Sequence, residues 1–370
     1  MKKFLIVLFH VLFVAITLWH VNITISDYLA NRFYTHDVGV VDYRIYHTTQ
    51  GNFFFDVVQG RSGFGLHFQP SLLLLLPFHM VLRHILFLPL LQTLALASAA
   101  WAVAWLTSLL IQRDRENGES GGLTVAGMLA GWIFLTNPHV GSIFLAHHYD
   151  SITAALGLWA LAFLASGRRW VFWVLLLIAL GLKEDGPVHW FVFAPWWLLW
   201  GWKANGEGFA EGWRKRLGFS IRLAVVCTVF AFVALLVIMW TAHSDGYEAL
   251  FFAKRYTGAE DAQRPFFATV FGPLWQMGKL LLPFFAFLPL AAPSTLLLLV
   301  APAYQMGLAE EAQQNLLYYY SYAFMPFLGL GTALGLRRIA GLLQRLDHAR
   351  LRRSIKCGGA VLLFLLGAWM

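Results

Sequence analysis

The run ILFLPLLQTLALASAAWAVAWLTSLLI, residues 85–111, decides the class of fold. A bilayer's hydrocarbon core is crossed by roughly 20 consecutive apolar residues in a helix, and this run is longer than that. Further apolar blocks recur along the 370 residues, which are 59% hydrophobic and 12% charged, with a mean hydropathy of +0.63. A soluble domain carries about 45–50% apolar and about 25% charged residues. The composition excludes an ordinary soluble enzyme, a disordered chain and a fibrous repeat. The chain reads as an all-α polytopic membrane protein forming a single membrane domain over 1–370. Its parts are a first helix in 1–22, an external loop with juxtamembrane helices over 23–84, and a helical bundle over 85–370.

Cys227 lies in an apolar run and Cys357 in a basic segment, so the cysteines supply neither a disulfide framework nor a zinc site. The net charge of +8, from 27 basic and 19 acidic residues, reads as an orientation signal, because excess Lys and Arg collect in cytoplasmic loops. No nucleic-acid partner is expected. Met1-Lys2-Lys3 followed by an apolar run to about Val21 is like a secretory signal. No small-x-small cleavage site follows promptly, so the run reads as an uncleaved first helix with a cytoplasmic N-terminus.

Basic clusters then fix the topology: Lys2-Lys3, Arg168-Arg169, the 203–222 stretch and the 337–356 stretch all belong inside. Four apolar segments separate the first external loop from Arg168: 68–82, 85–111, 123–138 and 151–166. Four crossings would put Arg168 outside, so one segment does not cross. The short 68–82 segment, interrupted by Pro77 and ended by Arg83-His84, is the one that suits a re-entrant or interfacial helix. Spans at 170–182, 187–202 and 223–242, a hairpin in 279–304, an external loop over 305–321, a helix at 322–336 and a last helix from 358 bring the count to about eleven. No fixed-period repeat or internal symmetry is visible.

On this topology the acids and histidines gather outside. They include Asp27, His36, Asp37, Asp42, Asp56, His67, His139, His147, His148, Asp150, Glu184, Asp185, His189, His243, Asp245 and Glu248, with Arg44, Arg61, Lys183, Lys254, Arg255 and Arg264 among them. Ionisable groups in or near a bilayer are costly and mark candidate sites. Asp37 and Asp42 can supply a general base and a metal or orienting ligand. Equally, Asp37 can cap a turn before Gly39 and Asp42 can start a helix. His147-His148-Tyr149-Asp150 suits a divalent metal or a phosphate-orienting network, or an interfacial histidine pair with Asp150 as a helix cap. Lys183-Glu184-Asp185 can hold an anionic headgroup or phosphate, or simply form a tight turn with a helix start at Pro187. His67-Phe68-Gln69-Pro70 opens the non-crossing segment. The tryptophans of 190–202 and the Tyr318 to Tyr322 run read as interfacial belts.

In this order, His36-Asp37-x-Gly39-x-x-Asp42, His67-Phe68-x-Pro70, His148-x-Asp150 and Lys183-Glu184-Asp185 resemble the polytopic proteins grouped as domain of unknown function 2079. The Leu282-Pro283 to Pro302 and Tyr320 to Pro326 regions are similar to that family's C-terminal pattern, so the resemblance covers about residues 30–340. Tyr43 stands where the family often has Gln, and His148-Tyr149-Asp150 replaces a His-Pro-Glu sequence. The chain stops at Met370 in or just after a helix, so an external C-terminal part is expected to be missing.

The family is in turn similar to the C-type membrane glycosyltransferases. That likeness implies a long first external loop with juxtamembrane helices and transfer of a sugar from a polyprenyl-phosphate carrier at the external face of the plasma (inner) membrane. It implies Asp37 or Asp42 as base and Lys183, Glu184, Asp185, Arg44 and His67 on the donor. It also implies His148 and Asp150 as ligands of an optional divalent metal, Mg or Mn. Membrane lipids are the other partner, and the acceptor is open. The rival readings are a transporter or lipid flippase, which places charges near the midplane within repeats, and a non-catalytic scaffold of the cell envelope.

Overall fold

A computed structural model of the chain describes residues 2–32, 37–58, 60–113, 122–202, 209–242, 275, 278, 280–281, 288–308 and 320–344. Its helices are α1 (Lys2–Leu29), α2 (Asp37–Thr49), α3 (Leu76–Val81), α4 (Phe87–Gln112), α5 (Val125–Leu135), α6 (Pro138–Ala146), α7 (Ile152–Ala165), α8 (Arg169–Leu180), α9 (Gly186–Phe191), α10 (Phe193–Trp200), α11 (Phe209–Ala242), α12 (Val300–Leu308) and α13 (Met325–Gln344). Among the described residues, strand is limited to the antiparallel pair β1 (Phe55–Asp56) and β2 (Arg61–Ser62), with Asp56 opposite Arg61. The protein is a helical membrane protein.

Three of these helices, α1, α4 and α11, are long and apolar enough to cross a membrane. They differ in what surrounds them. Of the most apolar window in each, 67% is buried in α4 against 11% in α1 and 22% in α11. α4 is therefore the central post, with α5, α7, α13 and α1 packed around it, while α1 and α11 keep broad apolar faces such as Val7, Val11, Leu18, Val229, Phe232 and Leu236 outward. Lipid tails solvate such faces as well as a leucine core does, so close contact between helices comes from small residues. Gly127 and Gly131, four apart on α5, lie directly on α4. A Cβ on Gly131 would stand 2.6 Å from the Ala100 carbonyl oxygen, and one on Gly127 2.4 Å from that of Ala104. Gly131→Val must push the two helices apart. The expected cost is at least about 1–3 kcal/mol, the range for overpacking, read as a lower unfolding midpoint in detergent micelles.

The helical path is broken at two places. α5 and α6 together are long enough for one span but bend by 51° between Leu135 and Pro138. Asn137 restarts the helix: its side chain accepts from the His139 and Val140 amides at 2.9 and 3.4 Å, with Pro138 in the first turn. The expected external loop over 139–150 is corrected accordingly, because residues to Ala146 are helical. α6 ends at His147, whose φ of 50° is left-handed. In the same way the expected 187–202 helix divides into α9 and α10 near Pro195, which has no N–H to return to Phe191.

The expected short segment is present. A 3-10 helix over Pro70–Leu75 runs into α3, and the twelve residues together fall short of a span. A second copy of this device follows much later: a 3-10 helix over Pro293–Leu299 runs into α12. Both begin with Pro-Ser and continue in leucines. The residues before the prolines, Gln69 and Ala292, have nearly the same backbone, φ −126° and ψ 53° against φ −125° and ψ 68°. The chain thus carries a local duplication that its apolar composition conceals. α12 reaches Leu308, beyond the expected 304 boundary, and α13 extends to Gln344. His36, Lys203, His243, Asp245, Glu248, Lys254, Arg255, Arg264, Tyr318, Tyr319, the 345–356 basic cluster and the helix expected from 358 lie outside the described residues.

Candidate functional site

α2 buries Val38, Val41 and Ile45 in the interior, and Arg44 goes in beside them with 3% of its surface exposed. A guanidinium so placed must have all its donors used. Its Nε donates to Asp56 Oδ2 at 2.9 Å, its Nη2 reaches the same oxygen, and its Nη1 donates to Gln69 Oε1 at 3.4 Å. Gly63, which opens the 3-10 turn after β2, makes room: a Cβ there would lie 2.5 Å from Arg44 Nε. Asp56 is itself fixed, because its Oδ1 accepts the Val58 amide at 2.8 Å.

Gln69 carries the chain of contacts onward, with its Nε2 donating to the buried Tyr149 hydroxyl. Tyr149 lies in the 3-10 turn that follows the left-handed His147. His148 caps that turn, its Nδ1 accepting from the Asp150 amide at 3.3 Å. Asp150 is wholly buried, and its Oδ2 forms an ion pair with Lys183 Nζ. Asp150 Oδ1 has no hydrogen-bond partner among the described residues. Lys183 comes from the turn between α8 and α9, where helix α9 begins at Gly186 with Pro187 in its first turn, as the sequence implies.

Each of the three ionisable residues of that turn meets a different element. Lys183 takes Asp150. Glu184 Oε1 pairs with His67 Nδ1 at 2.9 Å. Asp185 Oδ2 accepts from Gln305 Nε2 of α12 at 2.9 Å, and the Tyr322 hydroxyl donates to Asp185 at 3.2 Å. His189 Nε2 closes this group on Gln305 Oε1. The turn's backbone is also held, the Ser71 amide donating to the Gly181 carbonyl at 2.8 Å.

Among the expected site residues, the structure therefore brings Arg44, His67, His148, Asp150, Lys183, Glu184 and Asp185 into one connected polar layer. Asp42, two residues before Arg44 on α2, pairs with His79 Nε2 of α3 at 2.9 Å. Asp37 opens α2, and its side chain lies outside the described residues. Lys183 already covers Asp150 Oδ2, and His148 Nδ1 is engaged by the Asp150 amide. Among the described residues no group of three or more His, Cys, Asp and Glu side chains is arranged to hold a metal ion. The two expected metal ligands stand side by side, His148 Nδ1 lying 3.6 Å from Asp150 Oδ2. Tyr322, read as a belt residue, is buried on Asp185 instead.

Sequence reasoning missed the partners Gln69, His79 and Gln305, and gave Asp56 no role. Their signal was present: each is a polar side chain at or inside an apolar run, where burial without a partner is costly. A further pair, the buried His147 Nε2 with the half-buried Asp27 Oδ2 at 3.2 Å, ties the end of α6 to α1.

Membrane-length helices enclosing a layer of paired charges define a helical integral membrane protein with a built-in polar site. The chain belongs to the DUF2079 family of predicted membrane proteins, whose family model matches residues 33–369. Comparison with curated proteins and with solved structures finds no match.

Proposed function

We propose that the protein is a C-type membrane glycosyltransferase of about eleven spans. In this reading it lies in the plasma (inner) membrane with its N-terminus cytoplasmic, and it transfers sugar from a polyprenyl-phosphate donor at the external face. The observation that carries this reading is the linking of Arg44, His67, Asp150, Lys183 and Glu184, from different parts of the chain, through Gln69, Tyr149 and the 181–186 turn. The donor enters laterally from lipid with its tail between helices. Asp37 or Asp42 takes the proton of an acceptor hydroxyl as that oxygen attacks the anomeric carbon. The bond from that carbon to the phosphate oxygen breaks, and the departing phosphate carries the pair of electrons and the new charge.

A cation must receive that charge, and Lys183 is the first candidate, with Arg44 behind it. Both cations are matched by carboxylates at rest, so an arriving phosphate competes with Asp150 for Lys183 and one anion replaces another. A divalent metal, Mg or Mn, would be held by His148 and Asp150 and would supply further positive charge for the departing phosphate. The test is transfer of labelled sugar from a panel of polyprenyl-phosphate donors by the purified protein in liposomes. Asp37→Asn or Asp42→Asn is expected to lower the rate by about 100-fold or more, the scale of a lost general base. Full activity in both variants contradicts the assignment.

A transporter or lipid flippase is the second reading, and the broken helices favour it. The α5–α6 bend, the α9–α10 break and the two proline-led elements carry polar groups into an apolar bundle, as discontinuous helices do at transport sites. The same liposomes separate the readings: movement of the intact donor between leaflets without sugar transfer supports transport.

A further inference from the structure

We infer that His67, Gln305 and Tyr322 are positioning residues that grip the 181–186 turn and set Lys183 against Asp150, and that the two proline-led elements are the paired jaws of this grip. The inference concerns the turn itself and holds whether the site transfers sugar or moves lipid.

Three adjacent ionisable residues in a buried turn are costly unless each finds its own partner. Lys183, Glu184 and Asp185 are each at most 4% exposed, and their partners lie in three different places. The first jaw is the Pro70–Leu75 element: Ser71 N–H holds the Gly181 carbonyl, and His67, just ahead of Pro70, holds Glu184. The second is the Pro293–Leu299 element with α12: Gln305 holds Asp185, and His189 on α9 bonds the same Gln305. The two jaws are also seated alike. A Cβ on Gly181 would meet Ser71 Oγ at 2.2 Å, and one on Gly331 of α13 would meet Thr295 Oγ1 at 2.9 Å. Each proline-led element thus presses a hydroxyl residue from its first turn against a glycine at a helix end or within a helix, and each contributes one polar side chain to the turn. With Glu184 and Asp185 tied to the jaws, Lys183 is the residue of the three presented to Asp150. Glu184 and Asp185 therefore serve to orient the turn rather than to contact a ligand.

The test follows Lys183 itself and uses no donor lipid. The full-length protein in detergent micelles is treated with an amine-reactive ester, and labelling at each lysine is read by mass spectrometry, with Lys215 on α11 as the accessible reference. In the wild type, Lys183 is labelled far more slowly than Lys215. His67→Ala, Gln305→Leu and Tyr322→Phe are each expected to raise labelling at Lys183 roughly fivefold, the change in local opening produced by one lost hydrogen bond, with Lys215 unchanged. His67→Gln, whose amide can still donate to Glu184, is expected to restore protection, whereas His67→Leu, which fills the space without a donor, is not; equal protection in the two overturns the proposal. Wild-type labelling at Lys183 in all three variants overturns the proposal, as does an equal rise at Lys215. Tyr322→Phe removes only a hydroxyl and decides the matter if the other variants fail to fold.

Discussion

Asp150→Ala is expected to destabilise the protein by about 3–5 kcal/mol, the cost of leaving one member of a buried ion pair without its partner. Asp150 is wholly buried and Lys183 nearly so, so neither can recover hydration when the other is removed. The geometry sharpens the expectation, because the pair joins the turn after α6 to the turn after α8, and both turns lead into core helices. Lys183→Met is expected to cost a similar amount, leaving the buried Asp150 with only His148 Nδ1, 3.6 Å from Oδ2, in place of a cation. The double variant Asp150→Leu/Lys183→Met differs: replacing both charges by apolar groups of similar size is close to neutral in buried pairs. It is expected to regain most of the lost stability and to have no activity. Unfolding in mixed micelles measures the first effect, and the donor assay measures the second. If each single change costs under about 1 kcal/mol, the scale of a solvent-exposed pair, the burial of this pair is wrong.

Arg44→Ala is expected to be as damaging, again about 3–5 kcal/mol, because it strands Asp56, which is 1% exposed. It also removes the donor that holds Gln69, and Gln69 in turn supports Tyr149, next to Asp150. The informative companion is Arg44→Lys. An ammonium keeps the charge for Asp56 but cannot also form the fork onto Asp56 and reach Gln69. An intermediate loss of about 1–2 kcal/mol follows, on the scale of hydrogen bonds to charged groups. If Arg44→Lys is indistinguishable from wild type, the fork carries nothing beyond its charge.

Much of the site could be read from the chain before its pairings could. His67, His148, Asp150 and the Lys183 to Asp185 group stand out because they interrupt apolar sequence, and that contrast survives without coordinates. What they touch does not survive. His67 meets Glu184 across 117 residues and Gln305 meets Asp185 across 120, and no local spacing encodes such contacts. The metal expected at His148 and Asp150 came from residue types alone. The structure sets a lysine on Asp150 Oδ2 and a backbone amide on His148 Nδ1.

The fold shows the same division. α1, α4 and α11 follow from length and hydropathy, and 68–82 holds the short helical segment expected there. The break at Asn137 was written in the sequence as a cap followed by proline, but the apolar residues on both sides masked it. The duplication was hidden for a related reason. Leucine runs are common in any membrane protein, so only the shared backbone at Gln69 and Ala292 separates a repeated unit from ordinary composition.

The central claim is that this layer receives the phosphate of a lipid carrier, and an experimental structure of the protein with a polyprenyl phosphate bound tests it most directly. The phosphate is expected within hydrogen-bonding distance of Lys183 Nζ, with the Lys183–Asp150 pair opened and the lipid tail leaving between helices. A phosphate bound elsewhere, with Lys183 still on Asp150, would contradict it.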